Sequence, residues 1–124
     1  MILGLTLLDR TDVHLTGVSA DAEAQHLETK CRDLAEMAAV TLLETQIDPS
    51  IVPFKSVDDQ VGEGYGIPTP ASIEATELFG KHAGIVLDPT YTSKAAASLI
   101  AHLRSHPLFT PPLHTSGATA APST

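Results

Sequence analysis

The chain has 124 residues, of which 43% are hydrophobic and 18% charged, and its net charge is −8. This length suits one domain, and the acidic balance argues against a nucleic-acid or anionic-membrane partner. The single cysteine, Cys31, cannot form an internal disulfide, so a disulfide-stapled secreted fold is not expected. No apolar run approaches the roughly 20 residues that cross a bilayer, and the first nine residues lack the marks of a signal peptide. We therefore expect a cytoplasmic protein.

In the N-terminal half, the sequence predicts a strand, a long helix and a weak second strand. Residues 1–8 are apolar and fit either a strand or the end of a helix, whereas residues 12–18 are short and β-branched and predict a buried strand. A helix is predicted over residues 22–44, and a weak strand over 52–57. The helix prediction depends on an apolar stripe at helical spacing, formed by Leu27, Cys31, Leu34, Ala38 and Leu42.

In the C-terminal half, a glycine loop precedes a helix, a strand and another helix. Three glycines within residues 62–66 indicate unusual backbone angles or a close approach. Thr69 as N-cap predicts a helix that ends at Gly84. The wholly apolar residues 85–87 predict a third strand, and a further helix opens at Thr92 or Ser93.

Apolar strands alternating with amphipathic helices predict an α/β fold with a largely parallel sheet flanked by helices. This pattern covers residues 1–106. Residues 107–124 are rich in Pro, Ser, Thr and Ala and predict a mobile tail.

Only two places in the chain have the composition of a ligand site. No phosphate-binding or dinucleotide fingerprint is present, and the six histidines lack the spacing of a zinc site, so we expect no metal. The only two tyrosines are Tyr65, in the glycine loop, and Tyr91, which follows the predicted strand 85–87. Ligands of parallel α/β sheets bind at the carboxyl ends of strands, so Tyr91 and Thr92 are suited to a flat heteroaromatic ligand. A helix cap with a packing aromatic residue is the alternative.

Two segments carry a resemblance to a known family. Residues 62–69, GEGYGIPT, and residues 84–95, GIVLDPTYTSKA, resemble the D-cysteine desulfhydrase / 1-aminocyclopropane-1-carboxylate deaminase family of pyridoxal-phosphate enzymes. The family pattern runs close to GxGYGxPT and then G-apolar-LDPVYTGKA, and this sequence departs from it at Thr90 and Ser93. The resemblance covers about residues 1–104. It implies the C-terminal part of the large domain of a tryptophan-synthase-β-like fold.

The resemblance also implies roles for individual residues. Tyr65 and Tyr91 match catalytic tyrosines that contact substrate and cofactor, and Thr92 matches the cofactor-binding residue that faces the pyridine nitrogen. That position is typically Glu in the deaminases and Thr in the desulfhydrases. A hydroxyl leaves the nitrogen closer to neutral, which suffices when a β-thiol leaves readily. The resemblance therefore implies pyridoxal phosphate as cofactor and β-elimination from a D-cysteine-like amino acid, giving sulfide, ammonia and pyruvate.

Two parts of the family's cofactor site have no match in this chain. In the family, the Schiff-base lysine and the phosphate-binding loop lie upstream of the matched segments, and none of Lys30, Lys55, Lys81 or Lys94 fits the lysine motif. Lys94 is predicted to be a surface charge of its helix. We expect the chain alone to be inactive or nearly so, which leaves open whether it is an enzyme. Deaminase-type activity, or a non-catalytic module that forms a homo-oligomer or pairs with a full-length relative, are the alternatives.

Overall fold

The computed structural model describes residues 1–106, so the predicted tail at 107–124 lies outside the described residues. Four α-helices, two strands and one short 3-10 helix (Pro49–Ile51) occur in this range. In chain order the α-helices and strands are α1 (Ile2–Leu7), β1 (Leu15–Val18), α2 (Ala24–Leu43), β2 (Phe54–Val57), α3 (Pro70–Ala83) and α4 (Thr92–Ser105).

The two strands form a parallel sheet, which α2 connects as a crossover helix. Leu15 pairs with Phe54 at one end of the ladder, and Val18 pairs with Val57 at the other. Two adjacent parallel strands require such a crossover, because a tight turn reverses the chain direction and can join only antiparallel strands. The predicted α/β class with a parallel sheet is therefore confirmed for residues 1–106.

Helix α2 packs through small side chains and only in part through the predicted apolar stripe, of which Leu27, Cys31 and Ala38 are partly buried. Ala35 and Ala39 are buried, whereas Leu34 is half exposed and Leu42 is 74% exposed. The stripe prediction was wrong at these two leucines. Alanines let the helix approach its neighbours closely, while Leu34 and Leu42 face outward.

Polar side chains on the same helix attach it to β2. The Arg32 guanidinium donates to the carbonyls of Pro49, at 2.6 Å, and Phe54, at 3.0 Å. The Glu28 carboxylate accepts from the Ser56 backbone N–H at 3.2 Å. The bonds to Phe54 and Ser56 satisfy backbone groups on the edge of β2 that does not pair with β1, which would otherwise lack partners.

Helices α3 and α4 pack against each other around a second core of small residues. Its buried members are Ala75, Ala96 and Ala97, with Phe79, Leu87 and Ile100 packed around them. The start of α4 therefore has a fixed position relative to α3.

The structure corrects the strand predicted at residues 85–87 and decides between the two elements that residues 1–8 allowed. Residues 85–87 do not form a strand, and Val86 is 94% exposed. An apolar run becomes a strand only where another strand supplies its hydrogen bonds, and none within residues 1–106 does so. At the N-terminus, the open choice between strand and helix is resolved in favour of helix α1. None of the helices in the described range is long and apolar enough to span a membrane.

A reciprocal cap begins α3, as the sequence predicts. The Thr69 hydroxyl accepts from the Ser72 N–H at 3.0 Å, and the Ser72 hydroxyl accepts from the Thr69 N–H at 2.9 Å. Pro70 follows in the first turn, where a missing N–H costs nothing. At the other end, Gly84 closes the helix with a φ of 65°.

We predict that Thr69→Ala lowers the free energy of unfolding by about 1 kcal/mol, because one helix N–H loses its acceptor. Thr69→Ser keeps the hydroxyl and should cost much less. Urea unfolding followed by circular dichroism measures both changes. Equal losses in the two variants would show that the cap is not the cause.

Candidate active site

The glycine loop has the unusual backbone that its composition predicts. Gly62, Gly64 and Gly66 have φ values of 63°, 146° and 73°, which side chains disfavour. A Cβ at Gly62 would also lie 2.6 Å from the Thr69 methyl carbon. The loop can therefore turn tightly against the start of α3, and this turn carries Tyr65.

Tyr65 and Tyr91 lie together although 26 residues separate them. Their hydroxyl oxygens are 2.6 Å apart, and their rings meet edge to face with centroids 5.9 Å apart at 63°. Both side chains are open to solvent, with exposures of 59% and 56%. The two sequence-predicted tyrosines thus form one accessible pair, whose catalytic role stays a prediction.

The contact changes the acidity of one partner. The hydrogen bond to Tyr65 raises the pKa of Tyr91 above its ordinary value, and the negative charges of Asp21 and Asp88 act in the same direction. Ionisation would remove the proton that joins the two oxygens. Tyr91 is therefore harder to deprotonate than an isolated tyrosine.

Asp88 organises the start of α4. Its carboxylate accepts from the N–H groups of Thr90, Tyr91 and Thr92 at 3.0, 2.7 and 2.9 Å. It also accepts from the Thr92 hydroxyl at 2.6 Å. That hydroxyl, followed by the three backbone donors, lowers the pKa of Asp88 to about 2.

The single hydroxyl proton of Thr92 is thus directed at Asp88. The same oxygen accepts from the Asp88 N–H at 2.8 Å, which uses one of its lone pairs. A hydroxyl oxygen has two lone pairs, so one remains for a ligand. Thr92 can accept a hydrogen bond from a ligand without losing its contacts to Asp88.

Lys94 does not lie on the surface, and that prediction was wrong. Its side chain is fully buried, and the ammonium donates to the carbonyls of Ala20, Val61 and Gly64 at 3.2, 2.9 and 3.0 Å. Ala20 follows β1, and Val61 follows β2. The ammonium therefore lies at the carboxyl end of the sheet and contacts the peptide that precedes Tyr65.

The sequence reasoning missed Asp88 and Lys94 as parts of the site. Asp88 had a signal, because an Asp-Pro step four residues before Thr92 is typical of a capped helix start. Lys94 had a weaker one, since it lies among the small residues Ser93, Ala96 and Ala97, which permit a close approach. No group of His, Cys, Asp or Glu within residues 1–106 is arranged to hold a metal ion.

We predict that Tyr65→Phe returns the pKa of Tyr91 toward the ordinary value of about 10, because its hydroxyl partner is lost. Since the chain has no tryptophan and only these two tyrosines, the ultraviolet absorbance of tyrosinate reports on this pair alone. With the folded pKa raised, the contact stabilises the fold below about pH 10 and loses that contribution as the pH rises through the pKa of Tyr91. An unchanged late-titrating tyrosine in Tyr65→Phe would contradict the contact.

We also predict that Asp88 contributes to stability against acid. Its folded pKa lies below the unfolded value of about 3.9, so its contribution is complete above about pH 4 and is lost as the pH falls toward 2. Thermal unfolding across this range should show a smaller acid loss in Asp88→Asn than in the unchanged chain. Asp33→Asn, on the exposed side of α2, is the matched control. Equal acid losses in both variants would assign the effect to carboxylates in general.

No family model matches this chain. It is similar to D-cysteine desulfhydrases of Salmonella newport, Salmonella heidelberg and Salmonella dublin, each 35% identical over 89 residues. The match covers 72% of this chain and 26% of each relative, so the chain spans about a quarter of the length of these enzymes. The resemblance to the D-cysteine desulfhydrases noted in the sequence is thereby confirmed, over a segment that corresponds to about a quarter of these enzymes.

Proposed function

We propose that residues 1–106 form the tyrosine-bearing part of a pyridoxal-phosphate-dependent enzyme that eliminates the thiol of a D-cysteine-like amino acid. The products are sulfide, ammonia and pyruvate. In this proposal the fold belongs to the tryptophan-synthase-β-like type, and the chain needs a second polypeptide segment to act. The observation that carries the proposal is the exposed Tyr65–Tyr91 pair next to Thr92, in a relative of the desulfhydrases.

The residues present fit the pyridine end of the cofactor. Tyr91 offers an exposed aromatic ring, and Thr92 keeps one lone pair on its hydroxyl oxygen. Because the hydroxyl proton goes to Asp88, this oxygen is suited to accept a hydrogen bond from a protonated ring nitrogen. The cofactor, when bound, supplies an electron sink for the bonds around the substrate Cα.

The hydrogen bond between Thr92 and Asp88 changes the protonation that we expect for the pyridine nitrogen of the cofactor. A hydroxyl alone would leave the ring nitrogen close to neutral, which favours simple elimination. With the ionised Asp88 behind it, Thr92 favours the charged nitrogen more than an isolated hydroxyl would. Thr92 therefore does not by itself exclude the deaminase alternative, in which a cyclopropane ring is opened.

The tyrosine pair is suited to protonate the leaving sulfur. A tyrosine is neutral at neutral pH, so the Tyr91 hydroxyl can donate a hydrogen bond to the sulfur as negative charge develops on it. Tyr65 holds the Tyr91 hydroxyl by the 2.6 Å contact and supplies a second phenol oxygen. Lys94 takes no covalent part, because its buried amine donates to three carbonyls.

Exposed apolar side chains support assembly with the remainder of a desulfhydrase-like chain. Large apolar residues of α2 are about half or more exposed, as is Val86, which belongs to no strand. Such surface is typical of a contact face. The α2 residues concerned are Met37, Val40, Leu42 and Leu43.

We predict that the chain mixed with pyridoxal phosphate and D-cysteine releases no more sulfide than free pyridoxal phosphate does. Co-expression with the unmatched remainder of a Salmonella D-cysteine desulfhydrase should produce sulfide release. Tyr91→Phe should then lower the rate roughly 100-fold, the scale expected for a lost general acid. Lys81→Met, on the exposed side of α3, should leave the rate unchanged.

Three outcomes would reject the proposal or part of it. Sulfide release by the chain alone would show that no second segment is needed. A rate unaffected by Tyr65→Phe and Tyr91→Phe would remove the tyrosines from the mechanism. Stable co-purification without any sulfide release would favour a non-catalytic interaction module.

A further inference from the structure

We propose that Lys94 is a positioning residue whose ammonium ties the glycine loop to α4 and thereby sets the distance between Tyr65 and Tyr91. The tether concerns the folded chain itself. Its bearing on catalysis rests on the proposed function.

The contacts connect the peptides next to the two tyrosines. Gly64 directly precedes Tyr65, and its carbonyl accepts from the Lys94 ammonium at 3.0 Å. Lys94 lies three residues after Tyr91 in the first turn of α4, close to one helical turn away. Few covalent bonds therefore separate the Gly64–Lys94 hydrogen bond from either tyrosine ring. A shift of the glycine loop away from Lys94 would move Tyr65 with it.

The ammonium has a complete set of partners. Its three N–H donors match the three carbonyls of Ala20, Val61 and Gly64. None of the ion pairs formed within residues 1–106 includes Lys94. A buried charge without a counter-ion is costly unless dipoles solvate it, so the loop carbonyls must keep their orientation for the ammonium to stay buried.

The tether is not needed for the rest of the fold. The β1–β2 ladder and its polar links to α2 do not involve Lys94. The α3–α4 core forms around alanines, and the cap of α3 forms between Thr69 and Ser72. Loss of the ammonium should therefore release residues 61–66 and separate the tyrosines, while the helices remain.

The experiment replaces the ammonium and measures the tyrosines. Lys94→Met keeps an unbranched apolar side chain without donors, and Lys94→Gln keeps two N–H donors. Lys81→Met, which removes an exposed ammonium from α3, is the matched control. For each variant, tyrosinate absorbance is titrated, and circular dichroism with thermal unfolding reports on the fold.

In Lys94→Met, the late tyrosine midpoint should fall to the value measured in Tyr65→Phe, because the Tyr65 contact is lost in both. Lys94→Gln should fall between this value and that of the unchanged chain, and Lys81→Met should not shift. In the unchanged chain labelled with ¹⁵N, the Lys94 ammonium should show slow proton exchange, unlike the three exposed lysines Lys30, Lys55 and Lys81.

Two results would overturn the proposal. A folded Lys94→Met variant with an unchanged late midpoint would show that the ammonium does not set the tyrosine contact. If both Lys94 variants lost the cooperative unfolding transition, Lys94 would be a general requirement for folding and not a positioning residue. Because neither readout needs sulfide release, a failed activity assay leaves this test intact.

Discussion

The candidate site depends on one buried ammonium group at the carboxyl end of the sheet. Lys94 reaches from the first turn of α4 to carbonyls that follow both strands. Three segments distant in sequence therefore share one cation. A fully buried lysine is rare, because removing a charge from water is costly unless its donors are all used. In Lys94 all three N–H donors are used, and the carbonyl dipoles replace water around the charge.

The rest of the packing follows from small residues. The two cores contain alanines where larger side chains would be usual, at Ala35 and Ala39 of α2 and at Ala75, Ala96 and Ala97 of α3 and α4. Alanines bring helix backbones close but remove little apolar area from water, so they contribute less stability than leucines would. Polar contacts such as those of Arg32 and Lys94 consequently have a large share in fixing the relative positions of the elements.

Local signals in the sequence predicted most of the elements, and contacts between distant residues account for the failures. Thr69 and Gly84 mark the two ends of α3, because caps depend on neighbouring residues alone. Residues 85–87 have the composition of a strand, yet a strand exists only with a partner. The burial of Lys94 requires carbonyls 30 to 74 residues away, which no local pattern contains. The proximity of Tyr65 and Tyr91 was open to prediction only through the resemblance and the rule on strand ends.

The two departures from the family pattern can be explained by what each residue contributes. Thr90 meets Asp88 only through its backbone N–H, a group that any residue other than proline supplies, so valine would serve equally. Ser93 is buried, and its hydroxyl has no hydrogen-bond partner within residues 1–106, so glycine would lose no bond there. Asp88 and Thr92, unlike Thr90 and Ser93, contribute through their side chains. The Thr92 hydroxyl donates to the Asp88 carboxylate and accepts from the Asp88 backbone N–H. The capping of α4 and the acid–base state of the candidate cofactor site therefore depend on the same carboxylate, and a change at Asp88 alters both.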